Sequence, residues 1–212
     1  MSYRPVMLMI LDGFGHCSET TGNAVVMADT PNVDSLFESC PHTLITTSGR
    51  AVGLPEGVMG NSEVGHLNIG AGRVVRQEVM RITESIENGS FFENKVLVEA
   101  FSRLGKDNRV HLMGLVSDGK VHSSDNHYMA LVDMAKKQGL EPDQLMFHVF
   151  LDGRDTPPTS GIGYVEQLHK HMQSVGVGRI ATIGGRYWGM DRDKRWDRVQ
   201  KHYRALTQGK GV

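Results

Sequence analysis

From residue 109 onward the chain repeats one plan three times, and that plan leaves few folds open. An apolar run is followed by a polar, glycine-containing loop and then by a stretch with helical spacing. Residues 109–116 lead into Ser117-Asp118-Gly119-Lys120-Val121-His122. The stretch after them carries Tyr128, Leu131, Val132 and Ala135 on one face and stops at Gly139. Residues 144–151 lead into Asp152-Gly153-Arg154-Asp155-Thr156-Pro157-Pro158. The next helical face is Ile162, Val165, Leu168 and Met172, ending near Gly176. Residues 179–183 lead into Gly184-Gly185-Arg186-Tyr187-Trp188, and a polar helical pattern fills 191–206. Strands alternating with helices demand crossover connections, so the fold class is α/β with parallel strands flanked by helices.

The first 75 residues have another texture. Residues 6–11 form a continuous apolar run ended by Asp12-Gly13-Phe14-Gly15, which suits a strand buried on both faces. A third glycine is missing (position 18 is Ser18), so the dinucleotide fingerprint fails. Residues 23–28 and 33–40 read as short helices on either side of Thr30-Pro31, and 43–47 as a second strand. A Gly/Pro-rich loop over 48–59 leads into Gly60-Asn61-Ser62-Glu63-Val64-Gly65-His66. Past Gly72 the pattern turns helical over 75–86. Ser90-Phe91-Phe92-Glu93 then has the form of a capping box for a helix carrying Leu97, Ala100, Phe101 and Leu104.

Charge and cysteine content exclude several classes. With 23 basic and 24 acidic residues the net charge is −1, so no global field attracts nucleic acid or an anionic membrane, and anion recognition must be local. Two cysteines, Cys17 and Cys40, build no disulfide scaffold and fit no zinc motif. The run over 6–11 is too short to span a bilayer and lacks a small-residue cleavage site. A cytoplasmic protein with no membrane or nucleic-acid partner is expected.

Ligands of open parallel sheets bind beyond the carboxyl ends of the strands. The three later loops put His122, Arg154 and Arg186 there, with Arg192 just beyond. Arginine presents a planar fork of donors that matches phosphate or carboxylate oxygens. Each arginine could equally pair with a neighbouring acid, Arg154 with Asp152 or Asp155, Arg192 with Asp191 or Asp193. Arg195 and Arg198 read as a solvated helix face. Ser62 lies among glycines beside Glu63 and His66, where it is either a surface serine or a nucleophile. It has no G-x-S-x-G elbow, and the chain has no phosphate-binding P-loop. Coordination to a metal would activate such a hydroxyl by lowering its pKa. Asp12, at the end of an apolar run, is either a turn residue or one hard ligand of a divalent cation.

Five motifs in this order closely resemble the N-terminal part of the cofactor-independent (2,3-bisphosphoglycerate-independent) phosphoglycerate mutases, of the alkaline phosphatase superfamily. They are Leu11-Asp12-Gly13-Phe14-Gly15, Gly60 to His66, Ser117 to Ser123, Asp152 to Pro158, and Gly185 to Asp193. The resemblance covers essentially the whole chain. It implies a two-domain α/β architecture, alkaline-phosphatase-like with an inserted transferase domain. Residues 1–75 would be the N-terminal piece of the metal-binding domain and 76–212 an incomplete phosphotransferase domain. It implies that Ser62 is transiently phosphorylated and also ligates manganese, with Asp12 as another ligand. His122, Arg154, Asp155, Arg186 and Arg192 would hold the phosphoglycerate. The implied reaction interconverts 3-phosphoglycerate and 2-phosphoglycerate through phosphoserine. Two Mn²⁺ ions are implied, with Co²⁺ or Mg²⁺ as alternatives, and a monomer. Family members are more than twice as long, and their remaining metal ligands have no counterpart here. The chain is therefore expected to be a fragment, inactive by itself. The alternatives are a truncated product and another phosphomutase or phosphohydrolase of the superfamily.

Overall fold

A computed structural model describes residues 4–102, 104–105 and 107–211. The chain divides into two compact units, Met1–Gln77 and Glu78–Val212.

The second unit contains the sheet. Strands β1 (Val110–Val116), β2 (Leu145–Leu151) and β3 (Arg179–Gly185) lie side by side in that order, all parallel. Residues 125–137 form α6, 161–175 α7 and 196–208 α9, with the short α8 (Arg186–Gly189) directly after β3. β3 runs two residues beyond the expected 179–183. Alternation along β2 divides the sheet into two faces. Leu145, Phe147 and Val149 point into the core with Val116, where they meet Val132 and Ala135 of α6 and Leu168 and Met172 of α7. On the opposite face the Phe150 ring stacks, tilted, on His202 of α9 at 4.3 Å. Helices α6 and α7 thus cover one face and α9 the other. Such a change of face marks the place where open α/β sheets build ligand sites, beyond the carboxyl ends of the strands.

The chain enters this unit through α4 (Glu78–Glu87) and α5 (Lys95–Ser102). The expected capping box is not formed. Ser90 instead donates its hydroxyl hydrogen to Asn88 at 2.6 Å, and residues 90–93 make a single 3₁₀ turn. The cap of α5 is Asn94, whose Oδ1 accepts from the Val96 and Leu97 amides at 3.0 and 3.3 Å. Asparagine one residue past the turn outcompetes the serine because its carbonyl reaches both orphan N–H groups.

The first unit contains α1 (Ala24–Met27), α2 (Pro31–Ser39) and α3 (Ser62–Ala71). The strands expected at 6–11 and 43–47 are absent; among the described residues the unit has only an isolated antiparallel bridge between Ser48 and Met59. Val6 to Leu11 remain 41–95% exposed, and Leu44 and Ile45 63% and 78%. The reason is physical: a strand exists only through continuous pairing, and among the described residues neither run pairs with a second strand. Buried side chains of the unit include Val52, Leu54, Pro55 and Val64, where the 48–59 loop meets α3. Among the described residues no helix is long and apolar enough to cross a membrane.

Candidate functional site

In the first unit Ser62 is the first residue of α3. Asn61 caps the helix, its Oδ1 accepting from the Val64 amide at 3.0 Å. The cap places Ser62 at the positive end of the helix dipole, where developing negative charge is favoured. The approach to the helix is tight. A Cβ on Gly60 would sit 2.0 Å from the Thr47 carbonyl oxygen, so only glycine fits there. Asp12 lies in a turn closed by the Phe14 amide donating to the Leu11 carbonyl at 3.1 Å. Ser62 Oγ donates to Asp12 Oδ2 at 2.6 Å.

His66 Nδ1 is 3.3 Å from Ser62 Oγ and 2.8 Å from the Ser62 carbonyl oxygen. A carbonyl oxygen only accepts, so Nδ1 carries the hydrogen and donates it to the backbone. In that tautomer His66 cannot take the Ser62 proton through Nδ1. The carboxylate of Asp12 is the acceptor the hydroxyl uses.

Asp12 and Ser62 give two hard oxygens 2.6 Å apart. That donor chemistry suits a divalent cation such as Mn²⁺ or Mg²⁺, which takes several oxygens. Among the described residues no group of three or more His, Cys, Asp or Glu side chains is placed to hold a metal ion.

In the second unit the expected residues occupy the carboxyl ends of the strands. His122 lies in the loop after β1, exposed. That loop packs tightly on the loop after β2: a Cβ on Gly119 would meet Asp155 Cβ at 3.1 Å and the Asp155 carbonyl oxygen at 3.3 Å. Lys120 takes a left-handed φ of 57° so that its amide can donate to the Ser123 carbonyl at 2.8 Å. Asp155 and Arg186 are brought together, with Arg186 Nη1 donating to Asp155 Oδ2 at 2.7 Å. The same nitrogen donates to Asp152 Oδ1, also at 2.7 Å. Arg154 and Arg192 are exposed, and among the described residues neither guanidinium has a hydrogen-bond or ion-pair partner.

The pairings therefore differ from the local ones weighed from the sequence. Asp152 takes Arg186 from the start of α8, not Arg154. Asp191, with its side chain 1% exposed, takes Arg198 at 3.2 Å, not Arg192. Arg198 is no member of a solvated face: its side chain is 17% exposed, and its guanidinium lies 4.1 Å from the Tyr187 ring centroid.

Four residues of this region were missed: Ser117, Asp152, Asp191 and Arg198. Ser117, fully buried, donates its hydroxyl hydrogen to Asp152 Oδ2 at 2.7 Å. Asp152 Oδ1 accepts from the amides of Arg154 and Asp155 at 3.1 and 3.0 Å. Burial works against ionisation of Asp152. The Asp155 amide, Ser117, Arg186 and the Arg154 amide outweigh it and hold the carboxyl at about 2, below its ordinary 3.8. The available signal was an aspartate two and three residues ahead of the amides it binds, the Asx-turn spacing.

The chain as a whole is similar to known proteins. A family model described as BPG-independent PGAM N-terminus matches residues 82–212. A 2,3-bisphosphoglycerate-independent phosphoglycerate mutase of Syntrophotalea carbinolica is 57% identical over 99% of this chain and 40% of its own length. That of Clostridium novyi is 53% identical over 100% of this chain and 41% of its own. A crystal structure of Leishmania mexicana phosphoglycerate mutase at low cobalt concentration superposes with a TM-score of 0.69 at 36% identity. It covers 95% of this chain and 38% of that one. The chain thus spans about 40% of the length of these relatives. With a family model matching more than half of its residues and relatives more than 50% identical along its whole length, the chain belongs to the BPG-independent phosphoglycerate mutase N-terminal family.

Proposed function

We propose that this chain supplies the phosphoryl-accepting serine and the substrate clamp of an enzyme that interconverts 3-phosphoglycerate and 2-phosphoglycerate. The observation that carries the reading is the Ser62–Asp12 hydrogen bond at the capped start of α3. It gives the hydroxyl a carboxylate acceptor at a helix end that favours anions. In this reading residues 1–75 belong to a phosphatase-like, metal-binding domain and 76–212 to a phosphotransferase domain.

One carboxylate oxygen of Asp12 and Ser62 Oγ would be two ligands of a divalent cation, Mn²⁺ first and Co²⁺ or Mg²⁺ as alternatives. When bound, the cation lowers the pKa of the Ser62 hydroxyl and neutralises phosphoryl charge. Ser62 Oγ attacks the phosphorus of the substrate as its proton passes to Asp12, the phosphoryl–oxygen bond to the glycerate breaks, and the released glycerate oxygen takes up that proton. In the return step the other glycerate hydroxyl attacks the phosphoserine phosphorus and gives its proton to Asp12, the bond to Ser62 Oγ breaks, and Ser62 Oγ takes the proton back. Arg154 and Arg192, without a partner among the described residues, and Arg186 hold the substrate anions. His122 and Asp155 complete that clamp. Positioning and charge stabilisation carry most of phosphoryl-transfer catalysis, and donors already in place need little reorganisation. A monomer in the cytoplasm is the setting proposed, and the exposed free thiols of Cys17 and Cys40 support it.

Calorimetric titration of 3-phosphoglycerate into the protein tests the clamp. Saturable binding that is lost in Arg154→Ala is expected. No binding by the folded wild-type protein would contradict the reading.

A further inference from the structure

The two loops that bear the free arginines share one construction. In each, a buried aspartate binds amides of its own loop and a guanidinium from elsewhere. Asp152, its side chain 2% exposed, takes the Arg154 and Asp155 amides and Arg186. Asp191, 1% exposed, takes the Asp193 and Arg195 amides at 3.2 and 2.8 Å and Arg198. In both loops the arginine nearest the aspartate in sequence, Arg154 or Arg192, is left without a partner among the described residues.

We propose that Asp152 and Asp191 are positioning residues. Each fixes its loop by amide hydrogen bonds and satisfies its charge with a remote arginine, so the local arginine stays unpaired for a phosphate or carboxylate group. The inference rests on the phosphoglycerate reading above and extends it to residues that do not touch the substrate. The reasoning is one of competition. An arginine within reach of an unsatisfied aspartate pairs with it, and that pair must be broken before an anion can bind. Arg186 and Arg198 remove the competition, since each aspartate already has its charge-assisted partner. Ser117 strengthens the arrangement at Asp152. Its hydroxyl donates to Oδ2, so both carboxylate oxygens are engaged and neither pairs with the Arg154 guanidinium.

The sign of the effect separates positioning from simple electrostatics. Asp152 and Asp191 are negative charges close to an anion site. If they acted only through charge, removing them would strengthen anion binding. Positioning requires the opposite. Asp152→Asn keeps the shape of the side chain and one acceptor oxygen but loses the charge that holds Arg186. Titrating 3-phosphoglycerate into wild type, Asp152→Asn and Asp191→Asn, with inorganic phosphate as a second probe, is the experiment. Binding weakened about ten-fold or more in both variants is expected, the worth of one charge-assisted hydrogen bond. Equal or tighter binding in either variant overturns the proposal for that loop.

Amide hydrogen exchange supplies a readout that needs no ligand. Arg154 and Asp155 exchange faster in Asp152→Asn, and Asp193 and Arg195 faster in Asp191→Asn; unchanged exchange overturns the positioning role. If the wild-type protein binds no 3-phosphoglycerate, the functional reading fails, and amide exchange alone decides the positioning claim. If Asp152→Asn does not fold, Ser117→Ala replaces it. That variant is expected to weaken binding and Ser117→Thr, which keeps the hydroxyl, to restore it. Wild-type affinity in Ser117→Ala contradicts the account.

Discussion

Ser62 and Asp12 lie fifty residues apart in sequence, and their oxygens stand 2.6 Å apart in the fold, joined by a hydrogen bond from the serine hydroxyl. In the proposed reading the pair is a nucleophile with its proton acceptor, and supplies two of the ligands a divalent cation would take. Such a cation is normally held by about six ligands. Residues 1–212 by themselves are therefore expected to give no interconversion of 3- and 2-phosphoglycerate in the presence of Mn²⁺. Turnover in a coupled assay that disappears in Ser62→Ala would contradict this.

The backbone before α3 leaves no room for a side chain at position 60. Gly60→Ala would drive its methyl group into the Thr47 carbonyl oxygen, 2.0 Å away, and the chain must shift to relieve the contact. A destabilisation of about 1–3 kcal/mol is expected, read from the urea midpoint. Gly65, in the same stretch, has open space around it, so Gly65→Ala should leave stability unchanged or raise it slightly.

Asp152 makes acid stability predictable in sign. Its carboxyl titrates at about 2 in the fold against 3.8 ordinarily. The contribution is present above pH ~4 and is lost as pH falls from there toward 2, because the unfolded chain takes up the proton first. The size is on the order of 2 kcal/mol, one pKa unit being worth 1.36 kcal/mol. In denaturant titrations between pH 5 and pH 3, Asp152→Asn should lack this share of the acid-induced loss. An identical slope in wild type and variant would count against the contacts described.

His202 acts in a higher pH window. It is buried on α9 with Nε2 lacking any partner, and burial pushes its pKa below the ordinary 6.5. Above 6.5 both folded and unfolded states hold it neutral. Below that the unfolded chain binds a proton that the fold refuses, so stability falls as pH drops. Burial lowers His148 and His127 in the same way. His202→Leu removes one of the three and sacrifices no hydrogen bond of Nε2. The fall in melting temperature between pH 7.5 and pH 5 should be smaller in His202→Leu than in wild type.

The sequence pattern located the second unit closely and misread the first, for reasons visible in particular residues. Runs such as Leu145 to Leu151 have both the apolar content of a strand and, in Val110 to Val116 and Arg179 to Gly185, neighbours to pair with. Val6 to Leu11 has the same content but no described neighbour, and pairing cannot be read from composition. Ser62 and Asp12 stood out as separate candidates, and the fold joined them. Arg154 and Arg192 stood out too. The reason they remain free lies in Asp152, Asp191, Arg186 and Arg198, whose pairings skip 34 and 7 residues and follow no local spacing rule. The helix cap moved from Ser90 to Asn94 because two sequence-compatible caps competed, and only geometry chooses between them.

The central claim is that free arginines at the strand ends are there to hold a phosphorylated hydroxy acid. Its most direct test is the ¹H–¹⁵N spectrum of the arginine Nε–H groups during titration with 3-phosphoglycerate. Saturable shifts at Arg154, Arg186 and Arg192 are predicted, with Arg81, already paired with Glu78 on the exposed face of α4, unmoved. Shifts spread evenly over all arginines, or none at these three, would contradict the account.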